Sequence, residues 1–448
     1  MKPFPDRFYS RCSIMLVLLS LLVYGKAIHL PFFSDDYAVM LRLSRGDFDT
    51  GIFLRPLGDF TLYLQYQLCG FNAAWYHLVN VLLHAGCAVL VLYVTRELLG
   101  YIGYQGPAGW VAALAALLYT CNPMIAETVI WIVGRGIILS TSCMLLSILF
   151  FLRTRAGKKW MRLPSLIFFA LALSGYETAL VLPALLFVMV LSGKGKLTKA
   201  MVAVLPFVAV VLAYLLLRVL LLPEFSGGGY FRTGHGPAFY AYNFAALLTR
   251  CFTPPAADSR NFSIMGAVVF VLLAAFFVLY RRRSPVSFPV LMIFTLLLIL
   301  SLLPVVTVGI STRDYEGGRF LYQPAVFSSV LIALLLMGLL RSARGLMTGV
   351  SVMLAPCLAL LLNVVMQWNT AGSLLDAAMR SLPVIERPFL LEGAPGKIGT
   401  AYFLRNGARE AVVIYGKTSV ALMETTVPAG AAETFVYRDG RFEKKQVL

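Results

Sequence analysis

The chain has 448 residues, of which 59% are hydrophobic and 13% are charged, and its formal net charge is +17. This composition excludes a soluble globular domain and is typical of a polytopic helical membrane protein. The excess of Lys and Arg lies mostly in short loops between apolar runs, so it indicates membrane topology and gives no support to nucleic-acid binding. The seven cysteines show no CxxC spacing, and the sequence therefore predicts neither a structural zinc site nor a disulfide framework.

The first apolar run covers about residues 13–30. Its basic N-terminal flank predicts a cytoplasmic N-terminus, and the absence of a small-residue cleavage site favours a retained first span over a signal peptide. Residues 31–75 are too polar to span a membrane and are expected to form an external, functional segment. Apolar residues recur at helical spacing from Phe60 to Leu68, which predicts an amphipathic helix at the membrane surface.

Ten further spans are predicted downstream, because basic loops fall on the cytoplasmic side at every alternation. They lie at about residues 75–98, 108–120, 136–152, 163–192 (two short helices), 201–222, 264–280, 286–308, 320–340 and 346–366. The two short helices are expected to meet at a recessed external turn, Ser174–Thr178, where Glu177 faces a cavity. One span in place of these two would invert the topology of everything that follows.

The predicted fold class is an all-α polytopic membrane domain, residues 1–367, followed by a small external domain, residues 368–448, that is β-rich or α+β. The second domain is predicted to contain one helix and four short strands. The helix covers residues 371–379, and the strands cover residues 398–404, 411–415, 420–424 and 434–437. A glycine run at residues 227–229 predicts a mobile loop, which is either a lid or an ordinary connector.

Charged residues of the apolar part converge on the external face in this topology. They are Asp35, Asp36, Arg55, Glu127, Arg135, Glu177, Arg313, Asp314, Glu316 and Arg319. Arginine suits a phosphate because its planar fork binds two oxygens at once. A carboxylate in apolar surroundings, beside a second carboxylate, suits the deprotonation of a hydroxyl. The pattern predicts a site for an anionic group and proton transfer, with an ordinary network of ion pairs as the alternative.

The predicted second span carries His77, Asn80, Val81 and His84 along one face. No carboxylate or cysteine accompanies them at the spacing of metal ligands. Hydrogen bonding between helices is therefore the preferred interpretation, and a metal site is the alternative.

Several short stretches, in order along the chain, resemble a known family. They are Asp35-Asp36, Arg55-Pro56-Leu57, Tyr76–His84, Asn122-Pro123 through Glu127, Gly134-Arg135, Tyr176-Glu177 through Pro183, and Gly318–Pro324. Together they resemble the membrane O-mannosyltransferases that carry tetratricopeptide repeats, within the GT-C class of polyprenyl-phosphate-sugar-dependent glycosyltransferases. The chain departs from this pattern at Asn122, where the family usually has His, and at Tyr176, where it usually has Lys. The C-terminal repeats are replaced by the small external domain.

The resemblance implies transfer of one sugar, with inversion, from a polyprenyl phosphate to an acceptor hydroxyl on the extracytoplasmic face. It implies that Asp35 is the general base, with Asp36 either as its partner or as a group that positions the acceptor. Arg55, Arg135 and Arg319 become candidate contacts for the donor phosphate. Further site candidates are Glu127, Glu177, His77 and Tyr322.

The acceptor is left open among a protein, a lipid and a glycan, and so is the use of a divalent metal. No nucleotide is needed outside the cytoplasm. The expected location is a bacterial inner membrane, with the C-terminus outside and membrane lipids around the helices. The alternative functions are a transporter or flippase of lipid-linked sugars and a non-catalytic membrane scaffold. An ion-coupled transporter is expected to carry carboxylates near the bilayer midplane, and only Glu177 lies at such a depth in this topology.

Overall fold

The computed structural model describes residues 5–49, 51, 53–193, 195–222, 232, 234–284, 287–340, 342–424 and 433–445. The glycine run at residues 227–229 lies outside these residues, so the predicted lid stays a prediction.

Helices dominate the described part of the chain. In chain order they are α1 (Asp6–Tyr24), α2 (Asp35–Ser44), α3 (Pro56–Cys69), α4 (Ala73–Tyr101), α5 (Ala108–Thr120), α6 (Ala126–Ile130), α7 (Arg135–Arg155), α8 (Arg162–Gly175), α9 (Leu182–Ser192), α10 (Leu197–Leu221), α11 (Pro237–Arg250), α12 (Ser259–Arg283), α13 (Phe288–Leu302), α14 (Pro324–Leu339), α15 (Ala343–Ser381), α16 (Ala408–Ile414) and α17 (Val420–Glu424).

Seven helical segments among the described residues are long and apolar enough to cross a membrane. They contain α1, α4, α7, α10, α12, α13 and α15, and an eighth is obtained if α5 and α6, which meet at a 48° bend, count as one span. The apolar windows of α10 and α12 bury only 17% and 11% of their residues inside the protein, as expected for helices that face lipid. The chain is thus a multi-pass helical membrane protein. The count of eleven spans stays a prediction, because α8, α9 and α14 are shorter than a full crossing.

Small residues bring α7 and α8 into close contact. A Cβ atom added to Gly175 would lie 3.0 Å from the carbonyl oxygen of Gly136. Ser147 and Ser165 donate hydrogen bonds to each other's carbonyl oxygens at 2.7 and 2.8 Å. Without a hydrophobic driving force inside lipid, such close approach and hydrogen bonding hold helices together.

The break predicted at Ser174–Thr178 is confirmed. Helix α8 ends at Gly175, Tyr176 is extended, and a short 3₁₀ turn over Glu177–Val181 leads into α9. Glu177 is buried there. The amphipathic helix predicted after residue 55 is α3, whose Phe60, Leu64 and Leu68 side chains stay exposed.

Helix α15 is one continuous helix of 39 residues, and this corrects the prediction of a span ending near residue 366 and a separate helix at residues 371–379. Residues 367–370 contain neither Gly nor Pro, so nothing in the backbone interrupts the helix. Trp368 is fully buried and packs edge-to-face on Phe33 at 5.0 Å between ring centroids. The helix therefore runs past the predicted domain boundary and packs against the segment that precedes α2, while the boundary at residue 367 itself stays a prediction.

The residues after α15 form two small sheets and two short helices. The strands are β1 (Phe389–Glu392), β2 (Lys397–Ile398), β3 (Ala401–Tyr402), β4 (Glu433–Arg438) and β5 (Arg441–Lys444). Strand β1 pairs in parallel with β4, from Phe389 opposite Glu433, while β4–β5 and β2–β3 are antiparallel pairs. The strands predicted at residues 411–415 and 420–424 are wrong, because these residues lie in helices α16 and α17. Ala411 and Val412 are adjacent and both buried, whereas a half-buried strand would alternate buried and exposed residues.

Candidate active site

The aspartate pair opens helix α2, and its two members have different surroundings. Asp36 is fully buried. Its Oδ2 accepts a hydrogen bond from the backbone N–H of Phe33 and its Oδ1 accepts one from the N–H of Val133, both at 3.0 Å. Burial raises the pKa of Asp36 to about 8, although the two N–H groups favour the charged form. Through these two hydrogen bonds, Asp36 connects the start of α2 to the turn before α7.

Asp35 is only half-buried, and its carboxylate contacts a different part of the chain from that of Asp36. Its Oδ1 accepts a hydrogen bond from the side-chain amide of Asn406, which lies 371 residues further along the chain. Within the described part of the chain, Oδ2 of Asp35 has no hydrogen-bond donor. Of the two carboxylates, Asp35 is thus the one that a second molecule can reach.

The backbone just before Asp35 is strained and is held by the C-terminal residues. Ser34 has φ 47° and ψ −116°, a conformation that costs a non-glycine residue about 1–3 kcal/mol. Its N–H donates to the carbonyl of Phe403 at 2.9 Å, and its Oγ accepts from the N–H of Asn406 at 3.1 Å. Strain of this kind persists only where surrounding contacts fix the chain, and it clusters at functional sites.

A second cluster joins Glu127, Arg319 and Tyr402. Oε1 of Glu127 accepts hydrogen bonds from Nη1 of Arg319 at 2.6 Å and from the hydroxyl of Tyr402 at 2.9 Å. Nη1 of Arg319 also donates to the Tyr402 hydroxyl at 2.9 Å. Oε2 of Glu127 is buried and has no hydrogen-bond partner among the described residues. An orphaned buried acceptor is costly, and a ligand hydroxyl is one group that satisfies it.

The loop before Arg319 is held by two cations from the C-terminal residues. Lys397 Nζ lies 2.7 Å from Asp314 and 2.9 Å from Glu316, and Arg405 Nη1 lies 2.7 Å from Glu316. Burial alone would raise the pKa values of both carboxyl groups, but the hydrogen bonds from these cations outweigh it and lower them. The Arg405 guanidinium also stacks on the Tyr402 ring at 4.5 Å. The C-terminal residues thus connect the loop of Arg319 to the turn of Asp35.

A third cluster is built on Glu177. Its carboxylate accepts hydrogen bonds from Nε of Arg55 at 3.0 and 3.3 Å and from Nη1 of Arg218 at 3.3 Å. The Arg55 guanidinium lies between the rings of Phe53 and Tyr176, at 4.0 and 3.9 Å from their centroids. Stacking and ion pairing together fix the plane of this guanidinium.

Arg135, predicted as a phosphate contact, is buried inside the helix bundle. Its Nε donates to Asn80 at 2.8 Å and its Nη2 donates to the carbonyl of Tyr76 at 3.1 Å. These bonds connect α7 to α4. Of the three arginines predicted as phosphate contacts, Arg55 and Arg319 are thus the ones that stay partly accessible.

His77 and Tyr322 also lie in the buried interior. His77 Nε2 is 3.2 Å from the carbonyl of Pro31, and His84 Nδ1 is 2.9 Å from the Tyr322 hydroxyl. The predicted hydrogen bonding between helices is therefore seen for Asn80, which accepts from Arg135 of α7, whereas the two histidines bond to loop residues before α2 and before α14. Among the described residues no group of three or more His, Cys, Asp or Glu side chains is arranged to hold a metal ion.

A polar cavity adjoins α2 but does not contain these clusters. Its volume is about 490 Å³, and its polar lining includes His29, Tyr37, Asn369, Asp376, Arg380 and Tyr415. Asp35, Glu127 and Arg319 are absent from the lining. The cavity is therefore separate from the place where the predicted site residues meet.

Five polar residues of these clusters were not found by sequence analysis: Arg218, Lys397, Tyr402, Arg405 and Asn406. Arg218 is a charge near the end of an apolar helix, which is itself a signal of function or pairing. The other four belong to the C-terminal residues, which share no motif with the N-terminal part. Only the folded chain brings them to Asp35 and Arg319.

The fold and site together define a multi-pass helical membrane protein with buried acidic and arginine side chains near a half-buried aspartate. No family model matches the chain. Human protein O-mannosyl-transferase TMTC4 is 37% identical over 102 residues, which cover 21% of this chain and 14% of that protein. The Drosophila melanogaster protein O-mannosyl-transferases Tmtc1 and Tmtc2 are 35% and 34% identical over 118 and 134 residues. These matches cover 26% and 28% of this chain, and 13% and 14% of the two relatives.

The chain thus matches about one seventh or less of the length of these relatives, and the predicted resemblance to membrane O-mannosyltransferases is confirmed. Among solved structures, the chain is similar to ArnT from Cupriavidus metallidurans bound to undecaprenyl phosphate. The identity is 13%, the TM-score is 0.48, and the match covers 95% of this chain and 93% of that one.

Proposed function

We propose that this protein is a membrane glycosyltransferase that moves one sugar from a polyprenyl phosphate to an acceptor hydroxyl on the extracytoplasmic face. The observation that carries the proposal is the half-buried carboxylate of Asp35, in a chain similar to protein O-mannosyl-transferases. The C-terminal residues link it to the Glu127–Arg319 pair. The relatives' name makes mannose the first sugar to test and a serine or threonine hydroxyl the first acceptor.

In this proposal Asp35 is the general base. One of its oxygens takes the proton from the acceptor hydroxyl while the acceptor oxygen forms a bond to the anomeric carbon. The bond from that carbon to the lipid phosphate breaks, and the phosphate leaves with the electron pair. Attack opposite the leaving group inverts the configuration at the anomeric carbon.

Arg319 and Arg55 are the proposed contacts for the departing phosphate. Their guanidinium groups are held in place by Glu127 and Glu177, so little reorganisation is needed when charge develops on the phosphate. The orphaned Oε2 of Glu127 is the proposed acceptor for a hydroxyl of the transferred sugar.

An apolar groove offers room for the lipid tail of the donor. It has a volume of about 440 Å³, and its wall is formed by residues of α12, α14 and α15 together with Phe252. Phe252 lies two residues after Arg250, whose Nη2 donates to the carbonyl of Asp314 at 3.4 Å. One end of the groove is thus connected to the loop that leads to Arg319, which fits a lipid whose phosphate lies at that loop.

The test is reconstitution of the full chain in vesicles with a radiolabelled mannosyl polyprenyl phosphate and a Ser/Thr peptide. Labelled glycopeptide is the expected product. Movement of the donor across the bilayer without a glycosidic bond would instead support a flippase. If neither glycopeptide formation nor movement of the donor is observed, both a transferase and a flippase acting on this lipid are contradicted.

A matched pair of arginine variants tests the phosphate contact. Arg319→Lys keeps the charge opposite Glu127 but loses the bidentate fork, so transfer is expected to fall about tenfold or more. The control is Arg96→Lys, because Arg96 pairs only loosely with Asp6, at 3.9 Å, and lies far along the chain from the clusters. Equal transfer by wild type and Arg319→Lys would remove Arg319 from the proposed site.

A further inference from the structure

Five consecutive C-terminal residues, Phe403–Gly407, form an arch over the turn that carries Asp35. Two hydrogen bonds join the arch to Ser34: the Ser34 N–H donates to the Phe403 carbonyl, and the Asn406 N–H donates to the Ser34 hydroxyl oxygen. The Asn406 side chain then donates its amide hydrogen to Oδ1 of Asp35. The contact joins residues 371 positions apart, so it depends on the tertiary fold.

The close fit of the arch requires glycine at position 407. Gly407 has φ 71°, and a Cβ atom there would lie 2.6 Å from the Ser34 carbonyl oxygen and 3.2 Å from Cβ of Tyr37. Any larger residue would push the arch away from α2. The position of Asn406 against Asp35 is thus fixed by backbone contacts on both sides of it.

We propose that Asn406 is a positioning residue for Asp35, and that the arch Phe403–Gly407 completes the active site from the C-terminal part of the chain. This inference rests on the proposed function, in which Asp35 is the general base. The Asn406 amide fixes the carboxylate by binding Oδ1 and leaves Oδ2 to take the proton of the acceptor hydroxyl. The positive charge of the neighbouring Arg405 also interacts with the charge of Asp35.

An amide suits this role for a physical reason. It donates a hydrogen bond to the carboxylate without adding a positive charge, which would compete with the acceptor hydroxyl for the carboxylate. Aspartate has nearly the same shape but cannot donate when ionised, and it would set two carboxylates against each other. Substitution by aspartate therefore separates hydrogen-bond donation from packing.

Three variants of Asn406 are compared in the reconstituted transfer assay. Asn406→Gln, which keeps an amide donor on a side chain long enough to reach Oδ1, is expected to retain most of the turnover, Asn406→Ala is expected to lose about tenfold, and Asn406→Asp about a hundredfold. The loss is expected in kcat, with the KM for the lipid donor little changed, because Asn406 contacts only the base. A packing role predicts the opposite order, with Asn406→Asp mildest. Lys444→Ala, which breaks only an exposed ion pair with Glu433, is the control.

A substrate-free measurement tests the same contact through thermal stability. Asn406→Asp is expected to lower Tm, and the exchanged pair Asp35→Asn with Asn406→Asp is expected to restore it, because donor and acceptor are present again with their roles reversed. Strictly additive Tm shifts in this double-mutant cycle would overturn the inference.

Failure of the positioning role of Asn406 can be distinguished from failure of the proposed function. If wild type transfers sugar, Asp35→Asn does not, and Asn406→Asp is as active as wild type, the positioning role is wrong and the function stands. If Asp35→Asn transfers sugar as well as wild type, the proposed general base is wrong. The stability cycle then still decides whether Asn406 and Asp35 are coupled.

Discussion

Asp36→Asn is expected to weaken the fold while leaving the proposed reacting carboxylate untouched. Both oxygens of Asp36 accept backbone N–H groups at 3.0 Å, and the side chain is fully buried. Asparagine presents one oxygen and one NH₂ group. Whichever way the amide turns, its NH₂ group faces either the N–H of Phe33 or the N–H of Val133.

The size of the effect follows from that mismatch. One buried hydrogen bond is lost and one buried backbone N–H is left without an acceptor, which costs about 1–3 kcal/mol or somewhat more when the acceptor is charged. We expect a loss of about 2–3 kcal/mol in the free energy of unfolding. That is on the order of a 30- to 150-fold change in the folding equilibrium.

The pH dependence has a definite sign. Burial raises the pKa of Asp36 from its ordinary 3.8 to about 8, so between these values the folded carboxyl keeps a proton that the unfolded one releases. The contribution of Asp36 to stability is therefore present in full below about pH 4 and is lost as pH rises towards 8. Asparagine does not titrate, so the difference in the free energy of unfolding between wild type and Asp36→Asn is expected to become smaller as pH rises from about 4 towards 8.

The assay is unfolding by SDS titration at pH 5 and pH 8, with Asp35→Asn as the matched control. Asparagine at position 35 keeps an oxygen for the Asn406 amide, so its stability should stay close to that of wild type. Equal stability of Asp36→Asn and Asp35→Asn at pH 5, or a deficit of Asp36→Asn that widens from pH 5 to pH 8, would refute this account of Asp36.

Three further outcomes are expected. Tyr402→Phe removes a hydroxyl that donates to Glu127 and should cost about 1.5–3 kcal/mol of stability as well as transfer activity, and unchanged thermal unfolding would contradict that bond. Gly175→Ala should weaken the α7–α8 contact because the added Cβ meets the Gly136 carbonyl at 3.0 Å, and wild-type stability in SDS titration would contradict the close approach. The carboxylates that pair with Lys397 have lowered pKa values, so their stabilisation is present above the ordinary values of 3.8 and 4.5 and is lost as pH falls below them. The protection of backbone amides around Lys397 against hydrogen exchange, corrected for the intrinsic pH dependence of exchange, should fall in that acid range, and pH-independent protection would count against these pairs.

The membrane helices could be predicted because their signal is local. Each predicted span coincides with a helix, since long apolar runs bounded by basic loops leave the backbone no other way to satisfy its hydrogen bonds in lipid. The break before Glu177 was equally visible, as a polar interruption containing Gly in a short apolar stretch. What the pattern could not decide is whether the shorter helices cross the membrane fully.

The C-terminal part was harder because its signals are weak and its partners are distant. Residues 411–415 are rich in β-favouring side chains, yet tertiary packing against α2 selects a helix there. The contacts of Tyr402 and Asn406 with Glu127 and Asp35 span more than 250 positions, so no local spacing reveals them.

The structure separates the residues that the sequence predicts for the site. Asp35, Arg55 and Arg319 lie where a second molecule can reach part of each side chain, with Arg55 20% and Arg319 14% exposed. Arg135 is enclosed between two membrane helices, and such enclosure is not readable from a single sequence. The same holds for Asp36, which differs from Asp35 only in the direction it takes from the first turn of α2.

The central claim is tested most directly by measuring sugar transfer for wild type and Asp35→Asn in the same vesicles, together with binding of the lipid donor. The account predicts glycopeptide formation by wild type, unchanged donor binding by Asp35→Asn, and transfer reduced by a factor of roughly 10² or more in that variant. Equal rates of transfer by the two proteins would contradict it.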